Sequence, residues 1–191
     1  HGAEFLCAVP ALAGKTATLL HRTLRPLLHL GGNRAYAARM DRSDDITLPS
    51  DTSWLNDPNA QTVCRMLVQS GYQALFVGGC VRDALLRRPG SDVDISTDAL
   101  PETVMQLAAA AGLKALPTGI DHGTITVIAK GEPFEITTFR RDVATDGRRA
   151  VVAFSQDIAD DARRRDFTMN ALYATPEGRL IDPLDGVSDL N

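Results

Sequence analysis

The spacing of hydrophobic positions divides the chain into a weakly patterned first part and a strongly patterned part that begins near Asp57. Asp57 followed by Pro58 is typical of a helix start, because aspartate caps free N–H groups and proline fits the first turn. Apolar residues three or four positions apart then continue to Gly71, where the helix is predicted to end. The pattern therefore predicts a first helix between Asp57 and Gly71.

Helical and strand-like patterns alternate over the rest of the chain, and they predict a small α/β (α+β) domain with a mixed, largely antiparallel sheet flanked by helices. One stretch, DVATDGRRA, is polar and contains glycine, and is therefore predicted to be a mobile loop. In chain order, the predicted elements are strand QALFV, helix CVRDALLRR, strand DVDIST, helix PETVMQLAAAAG, a hairpin of GTITVIAK and PFEITTFRR, the loop, helix DIADDARRRDFTMNALYA and strand PEGRLIDP.

The N-terminal part has its own composition. Residues 1–40 are rich in Ala, Leu and Arg and contain Glu4 as their one acid, which resembles an organelle transit peptide. The alternative is non-native upstream sequence with Met40 as the true start. Residues 41–53 are typical of a polar linker. We therefore expect residues 1–53 to be a poorly ordered extension and residues 54–191 to form the folded domain, and the sequence looks like a fragment at both ends.

Composition and charge exclude several classes of protein. The chain has 191 residues, 44% of them hydrophobic, and a net charge of −4, which argues against broad electrostatic capture of nucleic acid without excluding a local basic groove. No apolar run reaches the roughly 18 residues that a membrane helix needs. Cys7, Cys64 and Cys80 are far apart, so neither a zinc site nor a disulfide framework is predicted, and a reduced intracellular compartment is expected.

Two acids one residue apart, Asp92 and Asp94, are the first candidate for chemistry. If they lie on a strand, their side chains project from the same face and repel each other unless a cation lies between them. Such a pair suits divalent ions in two-metal phosphoryl chemistry. The alternative is a turn in which both carboxylates cap backbone groups.

The glycine pair Gly78-Gly79 follows a predicted strand and opens a predicted helix. Backbone N–H groups in such a turn face an anion, and glycine permits close approach. Arg82 lies in the first turn of the helix and can reach the same phosphate. These residues predict a phosphate-binding turn shortly before the acid pair.

A third carboxylate, Glu135, lies between the apolar residues Phe134 and Ile136 of a predicted strand. Its side chain therefore points to the face opposite theirs. It is either a solvent-facing residue or a third metal ligand, and the second interpretation requires its strand to lie beside DVDIST.

Taken together, these motifs resemble the head domain of the class II CCA-adding enzymes and bacterial poly(A) polymerases, which are polymerase-beta-type nucleotidyltransferases. The likeness covers residues 60–190, and its pattern is specific only as a whole. The motifs that carry it are FVGGCVRDALL, SDVDIST, HGTITV, FEITTFRRDVATDGRRA and DDARRRDFTMNALY.

The resemblance implies a polymerase-beta-like fold and a template-independent reaction. In that reaction a tRNA 3′ hydroxyl attacks the α-phosphate of CTP or ATP and releases pyrophosphate. It implies that Asp92 and Asp94 hold Mg²⁺ in a two-metal site and that Glu135 is the third catalytic carboxylate.

The resemblance also implies that Gly79, Arg82 and Arg165 contact the nucleotide, in keeping with the prediction for Gly78. The implied partners are the tRNA 3′ end and nucleoside triphosphates, with neither DNA nor a membrane. The expected location is the cytoplasm, or the mitochondrion if residues 1–40 are a transit peptide.

Alternatives within and outside the family remain. The family selects bases with an acid–arginine motif in a neck domain, and the chain is expected to end before it. CCA addition is therefore the leading interpretation, but CC-only, A-only and poly(A) addition stay open. A non-catalytic nucleotide-binding module on the same scaffold is the alternative from another class.

Overall fold

The structure is a computed structural model, and it describes residues 46–90, 92–146 and 149–190. Its α-helices are α1 (Pro58–Gln69), α2 (Gly79–Leu85), α3 (Pro101–Ala110) and α4 (Ile158–Arg163). Short 3₁₀ helices span Ile120–His122, Thr168–Asn170 and Gly186–Leu190. Within the described residues, no helix is both long enough and apolar enough to span a membrane.

The strands form a seven-stranded mixed sheet and a separate two-stranded sheet. In the larger sheet the strand order is β3-β4-β5-β2-β1-β8-β9, and β6 pairs with β7 in the smaller one. The strands are β1 (Leu75–Val77), β2 (Asp94–Thr97), β3 (Lys114–Gly119), β4 (Thr124–Ala129), β5 (Glu132–Thr138), β6 (Arg140–Asp146), β7 (Arg149–Phe154), β8 (Tyr173–Ala174) and β9 (Leu180–Ile181).

One pair of neighbours in the large sheet is parallel, namely β2 and β5, while the other neighbours are antiparallel. The crossover between β2 and β5 contains α3, the Ile120–His122 turn and the strands β3 and β4. The mixed sheet flanked by helices confirms the predicted fold class.

The two faces of the sheet have different roles. On one face, Phe76, Ile95 and Ile136 are fully buried in a core cluster that includes residues of α1 and α3. On the other face, Tyr173 and Val77 belong to a smaller cluster with residues of α4. Successive strand residues point to opposite faces of the sheet. The strand residues that precede and follow Phe76, Ile95 and Ile136 therefore project towards the face of the smaller cluster.

The start of α1 follows the local rules that predicted it. The side chain of Asp57 accepts hydrogen bonds from the N–H groups of Asn59 and Ala60, and Pro58 occupies the first helical turn. Gly71, with φ of +88°, follows the last turn. These observations confirm the predicted helix.

Several elements differ from the prediction. Residues 142–146 and 149–150 of the stretch predicted to be a mobile loop lie instead in β6 and β7, which pair with each other, while residues 147–148 lie outside the described residues. The strand β3 was not predicted at all, and β2 begins at Asp94 rather than at Asp92. The last predicted helix ends at Arg163, and its remaining residues form a 3₁₀ turn and β8.

Part of the expected linker packs against the domain. Leu48 is 5% exposed, and its N–H donates to the carbonyl of Gly178. Thr47 forms a β-bridge with Arg179, so this segment runs along the β9 edge of the sheet. The expectations for residues 1–45 lie outside the described residues.

Candidate active site

A single row of residues crosses the middle of the large sheet. Glu135 of β5 is the register partner of Asp94 in β2, Asp94 is the partner of Val77 in β1, and Val77 is the partner of Tyr173 in β8. Residues that face each other across a ladder project from the same face. The sheet therefore holds the two acids side by side and places the end of β1 next to them.

A cavity of about 230 Å³ opens over this row. Asp94 and Glu135 contribute carboxylates to its wall, so the predicted condition that the strand of Glu135 lies beside that of Asp94 is met. Its polar lining consists of Asp94, Ser96, Thr124, Glu135, Thr137, Arg140 and Arg165.

Asp92 has a different position. It lies before β2 and lines a neighbouring cavity of about 440 Å³ together with Trp54 and Phe134. The prediction that Asp92 and Asp94 share a strand face fails, because the strand begins at Asp94. Within the described residues, no group of three or more acids, histidines or cysteines is arranged to hold a metal ion. The structure therefore brings two of the three predicted acids together.

The electrostatic state of Asp94 reflects this crowding. Although the residue is partly open to solvent, desolvation by its surroundings is the largest cause that raises its pKa. Glu135 raises the pKa further, Arg165 lowers it, and Asp92 adds a smaller rise. The negative charge of Asp94 is thus disfavoured by desolvation and by the neighbouring acids.

The donor set at this position fits a divalent cation. Among the described residues, the ion pairs are formed by other acids, and none involves Asp92, Asp94 or Glu135. Carboxylate oxygens are the ligands that Mg²⁺ prefers, and a cation between Asp94 and Glu135 would remove the repulsion that raises the pKa of Asp94.

The turn after β1 comes close to the arginine side of the cavity. Gly78 has a φ of +78°, and a Cβ atom there would lie 3.6 Å from Nη1 of Arg165 and 3.8 Å from the carbonyl oxygen of Asn170. A side chain at this position would be strained by the positive φ and would fill the space beside Arg165. Gly79 begins α2, which is only seven residues long.

Arg82 is held by protein partners. Its Nε atom donates to Asp83 at 2.9 Å, and its Nη1 atom donates to the side-chain oxygen of Asn170 at 2.6 Å. Arg82 does not line the cavity over the acids. Its predicted phosphate contact stays a prediction, and the structure assigns Arg82 a link between α2 and the 3₁₀ turn that contains Asn170.

Arg165 lines the cavity and is fixed from behind. Its Nη2 atom donates to Asp161 at 3.0 Å and its Nε atom donates to the hydroxyl of Tyr173 at 3.2 Å, while that hydroxyl donates to Asp161 at 2.8 Å. Burial acts to lower the pKa of Arg165, but Tyr173 and Asp161 outweigh it and the pKa is raised. Arg165 is therefore a preoriented, permanently charged group beside the two acids.

Sequence reasoning missed several residues of this site, namely Ser96, Arg140, Asp161 and Tyr173. Asp161 is 1% exposed and lies four positions before Arg165, which follows the end of α4, and this spacing is the one at which ion pairs form along a helix. Tyr173 reaches the site through the pairing of β8 with β1, which no local pattern indicates.

Comparison with known families places most of the chain in one of them. The family described as "Poly A polymerase head domain" matches residues 74–191. A CCA-adding enzyme of Lactobacillus delbrueckii subsp. bulgaricus is 49% identical over 133 residues, which are 69% of this chain and 33% of that protein. A CCA-adding enzyme of Bacillus mycoides is 43% identical over 129 residues, 66% of this chain and 32% of that protein.

Solved structures agree with the sequence comparison. A crystal structure of the Bacillus stearothermophilus CCA-adding enzyme in complex with CTP is 42% identical, with a TM-score of 0.61 over 70% of this chain and 32% of that one. A tRNA nucleotidyltransferase complexed with a primer tRNA and an incoming ATP analog is 30% identical, with a TM-score of 0.51 over 67% of this chain and 36% of that one. The chain thus spans about a third of the length of the relatives it matches.

Proposed function

The chain belongs to the poly(A) polymerase head-domain family, and on that premise we propose that it is the nucleotide-binding and catalytic head of a tRNA nucleotidyltransferase. The parent reaction is the addition of CMP and AMP to the tRNA 3′ end. The observation that carries the proposal is the register of Asp94 with Glu135 beside the cavity lined by Arg165. Relatives called CCA-adding enzymes support it.

The proposed reaction is an in-line displacement. The 3′ hydroxyl oxygen of the tRNA forms a bond to the α-phosphorus of CTP or ATP, the bond from that phosphorus to the bridging oxygen breaks, and pyrophosphate leaves. The hydroxyl proton passes to solvent. Such a reaction needs positioning and charge stabilisation more than covalent participation of the protein.

Mg²⁺ is the cofactor that this proposal requires. Asp94 and Glu135 would hold it, and Asp92, whose charge raises the pKa of Asp94, is proposed as a further ligand. When bound, it supplies the charge that activates the attacking oxygen and stabilises the leaving group.

The protein's own cations complete the site. Arg165, which Asp161 and Tyr173 hold in place, offers its guanidinium to the triphosphate, as charge-assisted hydrogen bonds favour. Gly78 has no side chain, so the cavity wall beside Arg165 stays open, and its positive φ is a conformation that favours glycine. Gly79 and Arg82 are proposed as further nucleotide contacts.

Nucleotide incorporation into a tRNA that lacks its CCA end tests the proposal. The protein that contains this chain is expected to add C, C and A in the presence of magnesium, and to lose this activity when Asp94 is replaced by Ala. The family description favours one second candidate, a poly(A) polymerase. Long A tracts without any C would support that candidate and overturn CCA addition.

A further inference from the structure

Two residues that line the proposed nucleotide cavity each have a buried polar atom without a hydrogen-bond partner. Within the described residues, the buried side-chain atoms that lack a hydrogen bond are Oγ of Ser96 and Nε of Arg140. Both residues line the cavity that contains Asp94 and Glu135. Buried polar atoms in folded proteins are nearly always bonded, so each exception requires an explanation. Because both atoms can donate a hydrogen bond and both residues line one cavity, we infer that the cavity binds a ligand rich in oxygen acceptors.

Arg140 is fixed in this cavity by its backbone and by one end of its side chain. Its backbone N–H donates to Asp161 at 3.2 Å, and its Nη1 atom donates to the carbonyl oxygen of His122 at 3.0 Å. Asp161 also holds Arg165, so one buried carboxylate positions both arginines at the same cavity.

Burial and neighbouring positive charges outweigh the acids near Arg140 and lower its pKa. Burial is the largest cause, and Arg164 and Arg165 lower the pKa further, while Asp161 and Asp142 act in the opposite direction. No ion pair of the described residues includes Arg140. A partly buried guanidinium beside other guanidinium groups is costly unless an anion compensates it.

We propose that Arg140 binds the polyphosphate of the incoming nucleoside triphosphate, together with Arg165. The inference rests on the proposed function, because it assigns a residue to the nucleotide of that reaction. A cavity of about 230 Å³ with two guanidinium groups suits a ligand that carries several charges within a few ångströms. An RNA backbone spaces its charges one per nucleotide and fits this arrangement less well.

Ser96 contributes the second unpartnered atom on the same face. It lies two residues after Asp94 on β2 and is 1% exposed. Its hydroxyl offers one further hydrogen bond to a ligand oxygen in the cavity. β2 thus supplies the acid Asp94 and, two residues later on the same face, the neutral hydroxyl of Ser96.

Equilibrium binding to the whole 191-residue chain tests the proposal, with CTP, ATP, inorganic tripolyphosphate, CMP and a tRNA that lacks its CCA end as probes in the presence of magnesium. Arg140→Gln is expected to weaken the binding of CTP and of tripolyphosphate about tenfold to hundredfold, the effect of losing a hydrogen-bonded charge. The binding of CMP is expected to stay within about twofold, because it lacks the β- and γ-phosphates.

Two further variants make the comparison specific. Arg141→Gln removes the same charge from the next residue of β6, which is exposed and does not line the cavity, and it is expected to bind CTP like the wild type. Arg140→Lys keeps the charge without the guanidinium fork and is expected to bind CTP with intermediate affinity. Thermal unfolding without ligand verifies that each variant is folded.

The outcomes separate this inference from the proposed function. If the wild type binds CTP and both Arg140 variants bind it equally well, the inference is overturned while the proposed function stands. It is also overturned if Arg140→Gln weakens CMP as much as CTP, or weakens only the binding of tRNA. If the wild type binds neither CTP nor ATP, the proposed function fails first.

Discussion

Asp94 shows how the sheet imposes an electrostatic cost at one residue. Desolvation by its surroundings is the largest cause that raises the pKa of Asp94, and the parallel register adds to it by placing the carboxylate of Glu135 beside it. A folded protein retains such a cost when the acid serves a purpose other than stability. Under the proposed function, that purpose is the binding of a cation and, through it, of a nucleotide.

Asp94→Asn is expected to raise stability and abolish activity. Because the pKa of Asp94 is raised in the folded state, its charge lowers stability progressively as the pH rises from the ordinary value of 3.8 through the raised value. Without divalent ions, the variant should therefore have a higher Tm than the wild type at pH 7, and the difference should vanish in acid.

The measurement is thermal unfolding across pH, with an incorporation assay beside it. Activity should fall more than about hundredfold, since metal-ion catalysis is worth several kcal/mol. Asp121→Asn, at an exposed acid outside the cavity lining, controls for the change in net charge. A Tm at pH 7 below that of the wild type would contradict this interpretation of Asp94.

Tyr173→Phe tests how firmly Arg165 is held. The change removes a hydroxyl that donates to Asp161 and accepts from Arg165, and it leaves the buried ring in place. Unfolding in urea should show a loss of about 1 kcal/mol, the usual worth of such a hydrogen bond. KM for the nucleotide should rise while the reaction at saturation changes little. Unchanged stability together with unchanged KM would show that Tyr173 does not orient Arg165.

At the scale of elements, the segment before α1 belongs to the folded domain. Ile46 and Leu48 exchange backbone hydrogen bonds with the turn and strand around Gly178 and Leu180, and they extend the sheet at its β9 edge. Leu48 is packed in the main core cluster. Residues 46–48, part of the polar linker expected over residues 41–53, therefore pack against the folded domain.

Leu48→Ala should destabilise the domain by about 2–4 kcal/mol, as expected for the truncation of a buried leucine. Chemical unfolding of the variant measures the change. Leu100→Ala is the matched control, because Leu100 is 48% exposed and should change stability by less than about 1 kcal/mol. Equal effects of the two substitutions would place Leu48 outside the core.

Elements with a strong local signal were predictable, and elements defined by their neighbours were not. The capped helix α1 and the hairpin of β4 and β5 follow from proline, aspartate, glycine and apolar spacing. The edge strand β3 contains Pro117, which sequence rules count against a strand although an edge tolerates it. The strands β6 and β7 pair with each other, and neither shows the regular apolar–polar alternation that identifies a half-buried strand.

The same distinction holds for the site. The apolar residues on either side of Glu135 predicted the face of the sheet from which its side chain projects. A role as a metal ligand required its strand to lie beside that of Asp94, and the pairing of β5 with β2 meets this condition. Arg140 and Asp161 are 21 positions apart and meet only through the tertiary fold, so no spacing rule identifies their contact. The segment of Asp92 was predicted to be a strand because alternation alone does not show where pairing begins.

At the largest scale that the structure describes, the large sheet is organised around one row across four strands. Glu135, Asp94, Val77 and Tyr173 are successive register partners, with acids at one end of the row and the arginine-holding tyrosine at the other. Acidic and basic side chains, those of Asp94, Glu135, Arg140 and Arg165, thus line one cavity. This combination of charges suits a ligand that combines a divalent cation with a polyphosphate, and the central claim is that a metal–nucleotide complex binds there.

The most direct test is an anomalous scattering map of crystals of this chain grown with CTP and Mn²⁺ in place of Mg²⁺. The account predicts an Mn²⁺ peak bonded to the carboxylates of Asp94 and Glu135, with the triphosphate directed towards Arg165. CTP bound without an ion at those two acids, or an ion bound elsewhere while the acids face solvent, would contradict it.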